Sequence, residues 1–146
     1  MKALIPAVDR HLLQTELTTN TFVRNVRGGE NKIYIVNIHN APNTLREIGR
    51  LRELTFRAAG GGTDKDCDLD EFDTSKQCYQ QLIVWDPKAE EIVGGYRFIR
   101  CIDSKKADGN YHLATSHLFS FSEKFKKDYL PKTIELGRSF IQPNYQ

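Results

Sequence analysis

The sequence has few cysteines and almost no excess of charge of either sign. Its three cysteines are widely spaced and include no CxxC pair, which argues against a disulfide framework and against a zinc knuckle. Lys and Arg number 21 and Asp and Glu number 19, so the net charge of +2 provides no global field for nucleic acid. We therefore expect reduced thiols, an intracellular location and no nucleic-acid partner.

Long apolar runs and metal-binding motifs are also missing. No stretch approaches the roughly 20 apolar residues of a membrane-spanning helix, and Pro6 interrupts an N-terminal stretch too short for a signal peptide. The four histidines show neither HxxxH nor HExxH spacing. The acidic loop at 64–73 has Leu69 where a calcium loop needs glycine, and Ser75 where it needs Glu. The sequence predicts a cytoplasmic protein without a bound metal, and it leaves peripheral contact with the inner face of the membrane open.

Hydrophobic periodicity predicts one long helix and four strands. An apolar stripe predicts a helix over 44–59, and Thr44 and Glu47 at its start have the spacing of a capping box. A shorter helix is predicted within 116–130. Runs of β-branched and aromatic residues bounded by turn residues predict strands at 32–39, 79–86, 92–101 and 133–141. In the last strand, the alternation places Ile134, Leu136 and Phe140 on one side.

The order of these elements predicts the fold class. Residues 1–31 precede the first predicted strand and are expected to form an N-terminal extension with a short helix. The remainder, 32–146, reads as one domain of the α/β (α+β) class, with a mixed, mainly antiparallel sheet and flanking helices. The chain contains no internal repeat or low-complexity segment that would suggest another architecture.

Charged residues inside predicted strands are candidates for a functional site. Arg97, Glu135 and Arg138 all lie in strands, where burying an unpaired charge costs several kcal/mol. The simpler interpretation is an exposed sheet face or a structural ion pair. We expect Arg97 and Glu135 to be less than about half exposed and to lie near other charges. Glu135 and Arg138 are three residues apart, so sharing a face requires a β-bulge, for which Gly137 is the candidate.

Three segments in order resemble a known family. They are DEFD at 70–73, VGGYRF at 93–98 and ELGRSF at 135–140, and LRELTFR at 51–57 adds a fourth. Together they look like the signature blocks of hemolysin-like GNAT acyltransferases. That group includes bacterial N-acyl amino acid synthases that make ornithine and glycine lipids, and it is related to acyl-homoserine-lactone synthases. The resemblance runs from about residue 30 to the end of the chain.

The resemblance implies an N-acyltransferase domain at 32–146. Such an enzyme moves a fatty acyl group from a thioester donor, acyl carrier protein or acyl-CoA, to the amine of a small acceptor such as an amino acid. It needs no tightly bound cofactor. In that family the core continues into a glycine-containing loop and helix that hold the donor, and no such loop is recognisable here. We therefore expect this to be the N-terminal part of a GNAT-like fold, incomplete at its C-terminus.

The resemblance also implies roles for individual residues. Glu135 is the candidate proton acceptor, and Arg97 and Arg138 would anchor an acceptor carboxylate or lock the acidic loop. Asp70 and Asp73 would shape the acceptor pocket. The backbone around three consecutive residues would face the donor: Ser139, Phe140 and Ile141.

Two partner interactions and two rival functions accompany this interpretation. Lysines between 105 and 132 predict a basic surface for acyl carrier protein, against the alternative of a solvated lysine face. The last strand is expected to have an unprotected flank and to promote self-association. One rival is a non-catalytic or degenerate acyltransferase-like binding module that lacks the donor phosphate loop. The other, a hydrolase using Cys101 with His112 or Ser116 with His117, has no recognised motif.

Overall fold

Five strands form one antiparallel sheet in the computed structural model, which describes residues 1–146. Each strand pairs with the next one along the chain. This arrangement confirms the α+β class with flanking helices. The strands are β1 (Phe22–Asn25), β2 (Lys32–Val36), β3 (Gln80–Asp86), β4 (Glu91–Arg100) and β5 (Ile134–Ile141).

The sequence pattern located four of these strands and missed β1. All four side chains of β1 are exposed, so the strand shows no alternation of apolar and polar residues. It forms because its backbone pairs with β2, a contact that periodicity does not report. β2 ends at Val36 rather than at residue 39, because the Asn37 side chain accepts hydrogen bonds from two backbone N–H groups in the turn that follows.

The region before β2 packs against the rest of the domain. The helix α1 (Arg10–Glu16) places Leu13 in the main hydrophobic core, where it is 2% exposed. β1 then adds an edge to the sheet. The boundary at residue 31 between an N-terminal extension and the domain stays a prediction, since nothing in the structure tests it.

The long amphipathic helix α2 (Pro42–Ala58) covers one face of the sheet. Leu45, Ile48 and Leu51 are almost fully buried, as the apolar stripe predicted. They pack in a core cluster with residues of β2, β3, β4 and β5 that include Val36, Ile83, Trp85, Ile92 and Phe140. Burial of such side chains, at about 1.5–3 kcal/mol each, is the main term that attaches the helix to the sheet.

The predicted capping box of α2 is wrong. The helix begins at Pro42, whose fixed φ suits the first turn, and Ala41 before it has no side chain to cap with. The carboxylate of Glu16, at the end of α1, accepts hydrogen bonds from the backbone N–H of Asn43 at 3.2 Å and of Thr44 at 2.7 Å. The backbone N–H of Thr44, which the local motif was expected to satisfy with Glu47, therefore has a partner 28 residues away.

We expect Glu16→Ala to lower the free energy of unfolding by about 1 kcal/mol, the usual effect of losing a helix cap. The same change also disconnects α1 from α2. Urea unfolding followed by circular dichroism measures the change in the free energy of unfolding. Glu123→Ala is a suitable comparison, because that side chain is exposed at the first turn of a short helix. Equal stability of the Glu16 variant and the wild type would contradict this capping role.

A second apolar cluster lies on the same face of the sheet, beyond the end of α2. It is formed by Phe72, Tyr79, Ile99, Cys101, Tyr111, Leu113 and Leu130. The segment 101–132 covers it, and here the predicted helix is split into a 3-10 helix at Ala114–His117 and α4 (Glu123–Asp128). Ser122 caps α4 and so fixes the break. No helix in the structure has the length and apolar character needed to cross a membrane.

Candidate functional site

A β-bulge in β5 organises the site. Between the pairs Gly95↔Phe140 and Arg97↔Gly137, β4 has one intervening residue and β5 has two. Arg138 has a φ of 52°, in the left-handed region that non-glycine residues rarely adopt. The predicted bulge is present, but Arg138 rather than Gly137 takes the unusual conformation.

The bulge changes which side chains share a face. Ile134 and Leu136 are 57% and 63% exposed, whereas Phe140 is 5% exposed and packs in the core. The prediction that all three lie on one side is therefore wrong, since the extra residue shifts the alternation after Gly137. Glu135 and Arg138 instead lie on the covered face together, which a regular strand would not allow.

Four of the predicted site residues line one cavity of about 550 Å³, between the loop before β3 and the bulged strand. They are Asp70, Arg97, Glu135 and Arg138. Two further ionisable residues, Glu71 and His117, line the same cavity and were not predicted. Asp73 does not line it, and neither do Ser139, Phe140 and Ile141.

Arg97 forms the inner wall of the cavity and is only 3% exposed. Its Nη1 donates to Asp70 Oδ1 at 2.7 Å and to Asp73 Oδ2 at 3.1 Å. The guanidinium also lies 5.1 Å from the centre of the Tyr79 ring. The expectation of a buried Arg97 beside other charges is confirmed. Its Nη1 holds the acidic loop, while its buried Nε has no hydrogen-bond partner.

The aspartates are held by a short helix, α3 (Glu71–Thr74). Asp70 caps this helix by accepting from Phe72 N, and the Asp73 carboxylate accepts from the Asp70 backbone in return. Burial alone would raise the pKa of Asp70, but the hydrogen bond and charge of Arg97 hold that pKa below its ordinary value. Asp70 is therefore ionised at the cavity wall at neutral pH.

Arg52 of α2 is a residue of the site that the sequence analysis missed. Fully buried, it donates from Nη1 to Asp73 Oδ2 at 3.0 Å and from Nη2 to Gln81 Oε1 at 2.7 Å. Gln81 in turn donates to Asp73 Oδ1 at 2.8 Å. Asp73 thus lies behind the cavity wall, where it joins α2, β3 and β4. The signal was available, because a charged residue on the apolar stripe of α2 needs a buried partner.

Arg138 reaches across the rim of the cavity. Its Nη2 lies 3.7 Å from Asp68 Oδ1 and 3.7 Å from Asp70 Oδ2, distances too long for hydrogen bonds. The side chain is 35% exposed, so part of it is open to solvent. Burial raises the pKa of Asp68. That Arg138 binds an acceptor carboxylate stays a prediction.

Glu135 is partly buried, as expected, and both of its carboxylate oxygens have partners. Oε1 accepts from the Tyr79 hydroxyl at 2.6 Å, and Oε2 accepts from Thr115 N at 3.3 Å. The Tyr79 oxygen also accepts from Ala114 N at 2.8 Å. Burial, and then the hydrogen bond to Glu135, raise the pKa of Tyr79 far above its ordinary value, so it stays a neutral donor. These contacts orient the carboxylate within the cavity.

The three residues predicted to face the donor lie apart from this cavity. Ser139 and Ile141 are exposed on the uncovered face of the sheet, and Phe140 is in the core. Their backbone runs beside Gly94, where an added Cβ would overlap the carbonyl oxygen of Phe140. This close approach explains the first glycine of the VGGYRF segment, Gly94. The donor-facing role itself stays a prediction.

β5 is an edge strand of this five-stranded sheet, so its predicted unpaired flank is present in the chain. Several of its apolar side chains are exposed, Ile141 among them at 51%. Self-association through this edge stays a prediction.

The comparison with known families agrees with the fold. Residues 51–146 match the acetyltransferase (GNAT) domain family. This match covers the bulged strand, the acidic loop and the cavity, and more than half of the chain. The chain therefore belongs to the GNAT family. No solved structure gives a significant match.

Two curated relatives are similar along the whole chain. The glycine N(alpha)-acyltransferase of Bacteroides thetaiotaomicron is 53% identical over 147 residues, which cover 100% of this chain and 44% of that protein. The glycine N(alpha)-acyltransferase of Phocaeicola vulgatus is 47% identical over 148 residues, covering 100% of this chain and 45% of that protein. The chain thus spans less than half the length of each of these relatives.

Proposed function

We propose that the complete protein is an N-acyltransferase that moves a fatty acyl group from a thioester to the amine of glycine or a similar small amino acid. The main support for this proposal is the β5 bulge, because it brings Arg138 and Glu135 to one face of the strand, where both line the cavity. The names of the two relatives support the same reaction and suggest glycine as the acceptor. The proposal includes membership of the hemolysin-like group that makes N-acyl amino acid lipids.

In the proposed reaction, Arg138 binds the acceptor carboxylate and Glu135 lies beside the amine. The amine nitrogen attacks the thioester carbonyl, the C–S bond breaks, and an amide and a thiol form. Glu135 accepts a proton that the nitrogen loses as the C–N bond forms. Arg97 holds the acidic loop in place through Asp70 and Asp73 and so keeps the cavity preorganised. No covalent enzyme intermediate is needed.

The donor side is proposed in less detail. A thioester can be presented by coenzyme A or by acyl carrier protein, and the backbone of Ser139–Ile141 is proposed to adjoin it. In GNAT enzymes the donor is a substrate rather than a resident cofactor, so none of the cavity residues need bind it permanently.

The test is direct detection of product. The complete protein is incubated with a long-chain acyl-CoA or the matching acyl carrier protein, and with glycine, glycinamide or methylamine. Mass spectrometry should find N-acylglycine in large excess over the other two amides, because only glycine offers a carboxylate to Arg138. Absence of every amide, with glycine still bound in calorimetry, would favour the non-catalytic binding module instead.

We also propose that acyl carrier protein is the preferred donor. Lys105, Lys126 and Lys127 line one surface depression of about 420 Å³, where they outnumber the two carboxylates, of Asp108 and Glu123. Reversing the charge of Lys124, Lys126 and Lys127 to Glu should lower kcat/KM for acyl carrier protein about tenfold at low salt, and less at high salt. Stopped assays at two ionic strengths measure this.

The matched control for these lysines is Lys88→Glu, at a side chain that is 79% exposed. It should leave donor use unchanged. Equal kcat/KM for the two donors in the wild type, or a triple variant unchanged at low salt, would contradict the carrier-protein proposal.

A further inference from the structure

The acceptor amine must lose two protons, and a single transfer to Glu135 accounts for only one of them. An amino acid carries an ammonium group at neutral pH, and only the neutral amine can attack a carbonyl. Two protons must therefore leave the nitrogen, one before attack and one as the amide forms. One of them ends on the released thiol and the other passes to water. The reaction needs two proton acceptors or one acceptor used twice.

A second acceptor is present in the same cavity. His117 and Glu71 both line it, and His117 Nε2 lies 3.4 Å from Glu71 Oε1. The two side chains are 58% and 57% exposed, so both reach solvent at the mouth. His117 ends the 3-10 helix whose Thr115 N–H binds Glu135. One short turn therefore carries His117 and orients Glu135.

His112 approaches the same carboxylate but occupies a different environment. Its Nε2 lies 3.8 Å from Glu71 Oε2, and its ring stacks on Phe72 with centres 4.7 Å apart. It does not line the cavity. His117 meets Phe72 only edge-on, at 5.3 Å. His112 is thus a packed side chain, and His117 is the imidazole open to an incoming acceptor.

We infer that His117, oriented by Glu71, accepts the proton that the acceptor ammonium loses before attack, and passes it to water. The N–H bond of the ammonium breaks, its electron pair becomes the nucleophile, and the imidazolium then returns to neutral by releasing the proton to solvent. Glu135 takes the second proton, which leaves with the thiol. Histidine suits the first step because its charge changes near neutral pH. This inference rests on the proposed function.

Several charged groups face this histidine from the elements around it. The groups concerned are Glu71, His112, Asp70, Arg97, Glu135 and Arg138. The neutral form of His117 is the active one, because only an unprotonated imidazole nitrogen can accept a proton.

The test compares glycine with aminooxyacetate, which has a carboxylate but a nitrogen that is already neutral at pH 7. His117→Gln should lower kcat/KM for glycine about 100-fold at pH 7, and the loss should shrink as pH rises. With aminooxyacetate the variant should approach the wild type, since no ammonium proton has to be removed. Glu71→Gln should show the same pattern with a smaller loss.

The controls separate this inference from the proposed function. His112→Gln should keep the wild-type ratio of glycine to aminooxyacetate activity, and Glu135→Gln should slow both acceptors. An active wild type whose His117 and Glu71 variants are equally slow with both acceptors would overturn the role of His117 and leave the acyltransferase intact. A wild type inactive with both acceptors and both donors would remove the proposed function, and this inference with it.

Discussion

Arg52→Ala is expected to lower the free energy of unfolding by about 3–5 kcal/mol, the usual cost of removing one partner of a buried ion pair. The side chain is 0% exposed and bonds to Asp73, Gln81 and the backbone of Asp68. Its removal leaves Asp73 and the Gln81 amide oxygen in the interior with fewer partners, and it opens a cavity beneath α2. The midpoint of urea unfolding at pH 7 measures the loss.

The comparison for this variant is Arg100→Ala. Arg100 also pairs with an aspartate through two hydrogen bonds, at 2.8 and 2.9 Å to Asp103, but its side chain is 68% exposed. Water replaces such a pair easily, so the expected loss is at most about 1 kcal/mol. Similar losses in the two arginine variants would show that burial does not determine how much an arginine–aspartate pair contributes to stability.

Glu135→Gln is expected to lower kcat/KM for amide formation by about 100-fold to 10,000-fold, the range for a lost general base. The amide oxygen can still accept from the Tyr79 hydroxyl, so orientation is largely kept. Only the weaker contact with Thr115 N, at 3.3 Å, loses its acceptor. The loss should therefore appear in kcat, and the midpoint temperature of thermal unfolding should fall only slightly.

Two further variants serve as comparisons for Glu135→Gln. Tyr79→Phe removes the hydrogen bond that orients the carboxylate and should give a smaller loss of kcat than Glu135→Gln. Glu30→Gln, at a surface carboxylate paired with Lys88, should leave kinetics unchanged. Full activity of the Glu135 variant would exclude it as a proton acceptor and leave His117 as the remaining candidate base in the cavity.

The candidate site was predictable where residue type and order carried the signal. The resemblance of the DEFD, VGGYRF and ELGRSF segments identified Asp70, Arg97, Glu135 and Arg138, and all four line one cavity. The same segments also named Asp73, Ser139 and Phe140, which do not line it. Arg52 was missed although its position on the apolar stripe of α2 indicated a buried partner. Glu71 and His117 were missed because their importance depends on what lies opposite them. The cap of α2 was misassigned for the same reason, as Glu16 comes from another helix.

The sequence by itself determined the class of fold and the identity of most charged groups in the cavity. Alternation and an apolar helical stripe are local properties, and they encode which faces must leave water. Only the tertiary structure decided that β1 joins the sheet, that Arg138 carries the bulge, and that Glu135 and Arg138 consequently share a face. One inserted residue reverses the alternation of everything after it, and the pairing with β4, rather than the local sequence, sets where that residue is accommodated.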